Sequence, residues 1–441
     1  MKRILNPSFL SPSLLAKGTF AALGFTALVI AGAAPAVKAS LTDSPKAVVD
    51  EVWQIVNNEF VGYEFNQDAW QAQREELLDR EYRTQQDAYD AIRQALRDLG
   101  DPYTRFLSPR EFQDLTNQTT GELSGVGVRL TVDEDAGVLT VVEPLEDTPA
   151  SAAGLESGDR ILRIDGKPTA LMTVEQASDL MRGPEGTTVT LQISRPERGL
   201  FELTLTRAQI EVPVLTYSLR QEDNARIGYM KLDEFSSHAA EQMEKAIQKL
   251  SEENVQAFVL DLRGNPGGLL FASVDIARMW METGPIVRTV DRKGGDRSYD
   301  ANRTALTQLP LVVLVDGNSA SASEILAGAL KDNGRATLVG SRTYGKGTVQ
   351  SVHSLSDESG LAVTISRYYP PSGININNNG IAPNIEIDLT RDQQRLLVVN
   401  PALRGTGRDP HYLQALGILQ AAIANQPNNP AIPAPISRTE Q

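Results

Sequence analysis

Apolar side chains recur at helical spacing from about Pro45 to Leu115. Val48, Val52, Ile55 and Val56 form one stripe, and Ala88, Ile92, Ala95 and Leu99 form another, so a small helical unit is predicted. Gly and Pro interrupt it at "LGDPYTRFLSP" (99–109). Trp53, Phe60, Trp70 and Tyr89 are expected in its core. From Gly121 the period changes. "GVGVRLTV", "GVLTVVEP" and "TTVTLQISRP" alternate or run apolar, "DRILRIDGKP" places a strand before an Asp-Gly turn, and one helix, "TVEQASDLMRG" (173–183), interrupts them. This β-rich unit is expected to end near Ala208.

After Ile210 strand and helix alternate. "RIGYMKL" (226–232) precedes an amphipathic helix carrying Ala239, Met243, Ile247 and Leu250. Strand "VQAFVLDL" (255–262), a helix from about Leu270, strand "LVVLVD" (311–316), a serine-rich segment with its helix, and strand "ATLVG" (336–340) follow. "LAVTISRYYPPSG" (361–373) reads as hairpin-like. The pattern predicts an α/β layer architecture with some parallel pairing.

Composition narrows the choices. A chain of 441 residues with 41% hydrophobic and 22% charged side chains is globular and long enough for two to four units. The net charge of −14 argues against a nucleic-acid partner. There is no cysteine, which removes disulfides, thiol catalysis and thiolate metal sites. His238, His353 and His411 are scattered and form no H-E-x-x-H pattern, so no metal site is expected. Lys2, Arg3 and Lys17 precede an apolar run from Phe20 to Ala34, and "AVKAS" places Val37 and Ala39 before a cleavage point. Residues 1–39 therefore read as a signal peptide. Their removal deletes four lysines and arginines and no acid, leaving −14 − 4 = −18 on a protein outside the cytoplasm. The Pro- and Asn-rich end, "NQPNNPAIPAPISRTEQ", is expected to be disordered.

The segment "DGNSASASE" (316–324) carries the first candidate chemistry. An apolar strand delivers it and a helix-forming run follows, the setting in which a serine can face helix N-terminal N–H groups. A second reading is structural: Ser321-Ala-Ser-Glu324 fits a capping box. No histidine is evidently connected to these serines and no G-x-S-x-G elbow exists. A lysine can replace histidine as base if burial disfavours its charged form. Lys346, between Gly345 and Gly347 in "RTYGKGTVQ", is the candidate; a solvated turn lysine is the competing reading. Gly340–Lys346 also fits the start of a phosphate-binding loop, but Gly347 stands where Ser or Thr must hold magnesium, and "TVQSVHSL" looks like strand. "DLRGNPGGLL" (261–270) is a glycine-rich turn whose N–H groups can hold an oxyanion.

Taken in order, "LGDPYTRFL", "GELSGVGVRL", "AGLESGDRILRIDG", "DLRGNPGG", "NSASASEILAGALKDNGRATLVG" and "TYGKGTVQ" resemble the carboxyl-terminal processing (tail-specific) serine peptidases from about residue 50 to 390, most closely the cyanobacterial and plastid type. The resemblance implies an α/β multidomain protein: signal peptide 1–39, helical region 40–120, PDZ domain 121–208, an α/β (ClpP/crotonase-like) serine protease core 209–395, and a C-terminal helix with a disordered tail 396–441. It implies Ser321 as nucleophile, Lys346 as base, Gln350 orienting that lysine, and the N–H groups of Gly267 and Ala322 as oxyanion hole. Glu324 matches an acidic supporting residue, with helix capping as its other reading. Gly125, Val126, Gly127 and Val128 would receive a substrate's terminal carboxylate, and Leu123 and Leu130 would be pocket or core. Arg182 resembles a position linking PDZ and core; a solvated helix-end arginine is its alternative.

The implied activity is cleavage of unstructured C-terminal tails of extracytoplasmic proteins, without a cofactor, in a periplasm or thylakoid lumen. Some relatives of this type mature the photosystem II reaction-centre precursor. A non-catalytic PDZ adaptor or chaperone on a protease scaffold is the alternative function, and intact Ser321, Lys346 and Gln350 argue against it.

Overall fold

The computed structural model describes residues 44–62, 65–133, 137–222 and 225–425; the signal-peptide and C-terminal-tail expectations lie outside them. Three helices open the chain: α1 (Pro45–Glu59), α2 (Gln67–Asp79) and α3 (Gln85–Arg97). Ser44 caps α1 with Pro45 at its first position, and Thr84 with Asp87 forms a capping box on α3. Trp53, Phe60, Trp70 and Tyr89 are buried as expected. The two indole N–H groups each donate to the other tryptophan's carbonyl, Trp53 at 2.8 Å and Trp70 at 3.3 Å. This core does not close on itself. Leu355, Leu361 and Val363, from far along the chain, complete it. The junction is β1 (Arg105–Leu107), which pairs antiparallel with the late strand Gly360–Tyr369, followed by α4 (Pro109–Thr120).

A two-stranded ribbon of β2 (Glu122–Gly125) and β9 (Ala208–Glu211) brackets the next unit. Inside it β3 (Val128–Asp133), β4 (Val138–Pro144), β5 (Arg160–Ile164), β7 (Thr188–Arg195) and β8 (Gly199–Thr206) form one antiparallel sheet in that order, with β6 (Lys167–Pro168) on β5. The short α5 (Pro149–Ala152) and α6 (Val174–Met181) cover it. The core is made by the inward residues of alternating strands, Leu139 and Val141, Val189, Leu191 and Ile193 among them. β3 is the sheet's edge, with α6 beside it.

The remaining strands form two sheets. β10 (Leu215–Glu222), β11 (Ala225–Leu232), β12 (Ala257–Asp261), β15 (Leu311–Val315), β16 (Thr337–Gly340) and β19 (Ile385–Glu386) lie side by side, and every pairing from β11 to β19 is parallel. Helices α7 (Ala239–Glu252), α8 (Leu270–Trp280) and α9 (Ala322–Asp332) bury one face. After α10 (Arg391–Val399), α11 (Pro410–Ala424) buries the other through Tyr412, Ala415, Leu419 and Ile423. Strands covered on both faces must be apolar throughout, which is why 257–260 and 311–315 read as continuous apolar runs.

The second sheet, which the sequence pattern did not reveal, is antiparallel: β13 (Pro285–Asp291), β14 (Asp296–Asp300), β17 (Thr348–Ser354) and β18 (Gly360–Tyr369), with β1 at its side. The hairpin-like reading of 361–373 is corrected. Gly360–Tyr369 is one continuous strand, because no turn residue interrupts it before Pro370, and its hairpin partner is β17.

Candidate active site

Three neighbouring parallel strands end on the same side of the sheet, and each releases one of the singled-out motifs. β12 runs into the glycine turn, β15 into the serine segment, and β16 into the loop carrying Lys346. In open parallel sheets this carboxyl edge is where sites form.

Asn265, fully buried, joins the first two motifs. Its carbonyl accepts from the Ala320 N–H (3.1 Å) and the Ser323 hydroxyl (3.0 Å), while its amide donates to the Leu232 carbonyl at 2.9 Å. Ser319 adds a bond to the Leu262 carbonyl at 2.8 Å. Ser319 and Ser323 are thus turn and first-turn hydrogen bonders, and both are fully buried. Ser321 is different. It is half-buried and sits at φ 53°, ψ −113°, a combination that costs a non-glycine residue about 1–3 kcal/mol and persists only when neighbours impose it.

Those neighbours are Glu324 and Tyr368, and they hold Lys346 as well. Glu324 is fully buried at the first turn of α9. Its Oε2 accepts the N–H groups of Ser321 and Lys346, both at 2.9 Å, and its Oε1 accepts the Gly345 N–H (2.8 Å) and the Thr343 hydroxyl (2.6 Å). Burial pushes this carboxyl up, and the donors oppose that. Three of the four donors are backbone N–H groups that cannot reverse, so the arrangement fits the anion. Supporting and capping readings of Glu324 are therefore one and the same contact set. From the other side the Tyr368 hydroxyl reaches the Ser321 carbonyl at 3.0 Å and the Lys346 carbonyl.

The glycine at 345 is required by space: a Cβ there would lie 2.7 Å from the Gly380 nitrogen, at φ +92°. Lys346 itself is half-buried, and its Nζ lies over the Tyr103 ring, 4.7 Å from the centroid. Among the described residues Nζ has no hydrogen bond or ion pair. Burial lowers its pKa, Arg105 lowers it further, and Asp101 and Glu324 pull the other way. A lysine with an available lone pair is what a serine base requires.

Two expectations are altered. Gln350 donates to the Thr348 and Thr364 hydroxyls (3.0 and 3.2 Å), not to Lys346. The Gly267 N–H is given to Asn265 Oδ1 at 2.8 Å, because the buried amide folds back over its own turn. The Ala322 N–H, at the first position of α9, has no partner among the described residues. Gly267 nonetheless lies against the serine segment: a Cβ on it would lie 2.8 Å from Ser321 Cβ and 2.9 Å from the Ala322 nitrogen. In this state one of the two expected donors is free and the other is occupied.

The phosphate-loop reading fails on the structure. A strand, β17, follows Gly347, and the N–H groups of Gly345 and Lys346 are donated to a carboxylate. A buried ion cluster lies behind the glycine turn: Arg263 bridges Asp261 (2.6 Å) and Asp409 (2.7 Å), the cap of α11. Sequence reading missed Tyr103, Tyr368, Asn265 and this cluster. "DPYT" and "SRYY" were visible, but nothing in their spacing places a tyrosine beside residue 346.

In the β-rich unit a groove of about 200 Å³ runs between β3 and α6, lined by Gly125, Val126, Gly127 and Val128 with Leu123, Leu130, Met181 and Arg182. Val126 also belongs to the unit's core. Ile210, Val212 and Pro213, on the link to the protease core, close one part of the lining. Arg182 is exposed and lies 3.6 Å from Asp179 on its own helix.

The fold and site define a PDZ-bearing serine-type peptidase, and the chain belongs to peptidase family S41. Residues 226–387 match the model of that family, and residues 140–195 match a PDZ-domain model. The chain is similar to the carboxyl-terminal-processing protease of Synechocystis sp., at 39% identity over 425 residues covering 94% of this chain and 96% of the relative. It is 40% identical over 347 residues to carboxyl-terminal-processing peptidase 2, chloroplastic, of Arabidopsis thaliana, covering 76% of this chain and 67% of the relative. The solved structure of a photosystem II D1 C-terminal processing protease matches with a TM-score of 0.52 at 35% identity, covering 84% of this chain and 99% of that one.

Proposed function

We propose that this chain is an endopeptidase that captures unstructured C-terminal tails of extracytoplasmic proteins and cuts them with a Ser321–Lys346 pair. One observation carries the reading: Ser321, in a strained conformation, and Lys346, in a loop from another strand, are fastened to the same two buried groups, Glu324 and Tyr368. Capping a helix needs no such bridge to a lysine.

In the proposed reaction neutral Lys346 accepts the Ser321 proton as Oγ bonds to the peptide carbonyl carbon. The Ala322 N–H stabilises the resulting oxyanion, and the Gly267 N–H joins it by leaving Asn265 Oδ1. The C–N bond then breaks as Lys346 returns its proton to the leaving amine. Water, deprotonated by Lys346, then bonds to the acyl carbon, and Lys346 passes that proton to Ser321 Oγ as the ester bond breaks. No cofactor enters these steps.

The edge of β3 beside α6 suits a peptide added as a strand, its carboxylate at Gly125–Val128. The division of labour we propose follows residues 40–120, 121–208, 209–395 and 396–441, after removal of 1–39 on export. The relatives' names make the photosystem II D1 precursor the first substrate to try, in a thylakoid lumen or periplasm.

The test compares residues 40–441 with its Ser321→Ala variant on an unstructured peptide ending in a free apolar carboxylate or an amide, with cuts located by mass spectrometry. Cleavage of the free-carboxylate form by the unsubstituted protein alone is expected. If neither protein cuts while both bind the free terminus, the chain is an adaptor.

A further inference from the structure

We propose that Tyr103, delivered by the N-terminal region, is a positioning residue for Lys346: its ring face holds the amine and stabilises the ammonium that forms when the lysine takes the serine proton. This rests on the Ser321–Lys346 reading above. Tyr103 lies between α3 and β1, outside the residues 226–387 that match the peptidase family model.

The loop that carries it is built for placement. Asp101 accepts the N–H groups of Tyr103 (3.2 Å) and Thr104 (3.1 Å) and the hydroxyls of Thr104 (2.6 Å) and Thr364 (2.5 Å). Thr364 belongs to β18, its N–H donates to Thr104 Oγ1 at 3.1 Å, and its hydroxyl accepts from Gln350. Gln350 therefore reaches the lysine's surroundings by way of this loop. β1 continues the attachment by pairing Arg105, Phe106 and Leu107 with β18.

The chemistry suits a base. A carboxylate in contact with Nζ would hold the proton on the amine, and a hydrogen-bond donor would occupy its lone pair. An aromatic face does neither, yet favours the cation. The charged and titratable groups around Nζ are Arg105, Asp101, Glu324, Tyr103 and Ser321, with Tyr344 against Tyr103 and Tyr368 beneath the two backbones. Burial and Tyr344 push the Tyr103 phenol up to about 12, so it stays neutral and cannot serve as an alternative base near neutral pH.

The experiment follows the Lys346 ε-carbon resonance in lysine-labelled protein, assigned with Lys346→Arg, together with kcat/KM against pH. Tyr103→Leu keeps apolar bulk but removes the ring. It should lower the amine's titration and the rising limb of kcat/KM by about half to one and a half pH units, and cut the alkaline plateau about 2- to 30-fold. Tyr103→Phe should follow the unsubstituted protein in both readouts. A folded Leu variant whose lysine titrates unchanged, or upward as it would if the ring only excluded water, overturns the proposal. So does a Phe variant that behaves like Leu. If instead the unsubstituted protein's Lys346 titrates like an ordinary lysine and Ser321→Ala still cleaves, the Ser–Lys reading itself has failed.

Discussion

Replacing Glu324 with glutamine keeps its shape and changes only its hydrogen-bonding sense. The carboxylate accepts from Ser321 N, Lys346 N, Gly345 N and the Thr343 hydroxyl. Glutamine supplies one accepting oxygen and an NH₂ group that only donates. If the NH₂ replaces Oε2, it confronts two backbone N–H groups that cannot reverse. If it replaces Oε1, the Thr343 hydroxyl can rotate to accept, but the Gly345 N–H is left without a partner. The second orientation is favoured, and it still buries one unsatisfied donor, at about 1–3 kcal/mol, while the remaining bonds lose their charge assistance. We expect Glu324→Gln to destabilise by about 2–4 kcal/mol on these terms. Because the lost Gly345 bond lies next to Lys346 and the two retained bonds to Ser321 and Lys346 are weakened, a shift of about 1 Å between them should lower kcat/KM about 10²-fold. Denaturant unfolding in a Ser321→Ala background measures the first effect without self-cleavage, and peptide hydrolysis in the Ser321 form measures the second. A Gln variant as stable as its parent would mean that the carboxyl is already protonated, or that its donors point elsewhere, and would contradict a carboxylate bridge between Ser321 and Lys346.

Lys346→Met should abolish cleavage, a loss of at least about 10²–10⁴-fold, yet stabilise the fold at neutral pH. Since burial lowers the lysine's pKa, the unfolded chain binds more protons than the folded one between that lowered value and the ordinary lysine value. Stability of the parent therefore rises with pH through this window, and Met should remove the rise; thermal unfolding at several pH values checks it. Activity of the parent should rise with pH as the amine loses its proton, and a flat profile in kcat/KM would count against Lys346 as base. Gly267→Ala places a Cβ 2.7 Å from the Ala320 carbonyl oxygen at φ +106°, so cleavage should fall about 10²–10³-fold through displacement of Ser321 and Ala322; an active Ala variant excludes this turn from the reaction. Asp409→Ala leaves the buried Arg263 with one carboxylate partner and α11 without its cap, and should cost about 3–5 kcal/mol in denaturant unfolding.

Much of the architecture was legible because it is periodic. Helical stripes marked α1 and α3, alternating strands marked the PDZ sheet, and unbroken apolar runs marked β12 and β15, which are covered on both faces. The antiparallel sheet of β13, β14, β17 and β18 was not. Residues 296–300, "DRSYD", form an edge strand almost wholly exposed, so no apolar pattern advertises it. The hydrogen-bonding state of the glycine turn was equally hidden. Sequence places Asn265 two residues before Gly267, but only its burial against Leu232 decides that its oxygen turns back onto the Gly267 N–H.

The chain's own order determined which residue types could do chemistry: a serine ahead of a helix, a lysine between glycines, a glycine turn after an apolar strand, and no cysteine. These are local properties, set by conformational freedom and by the functional groups present. Tertiary structure decided their conjunction. Parallel pairing of β12, β15 and β16 brings three turns to one edge, and Glu324 and Tyr368 then fasten residues 25 positions apart (346 − 321) into one site. It also brings Tyr103, more than 200 positions earlier (346 − 103 = 243), beneath the same amine. Such contacts depend on strand order and on burial, and neither is a property of any stretch of sequence read alone.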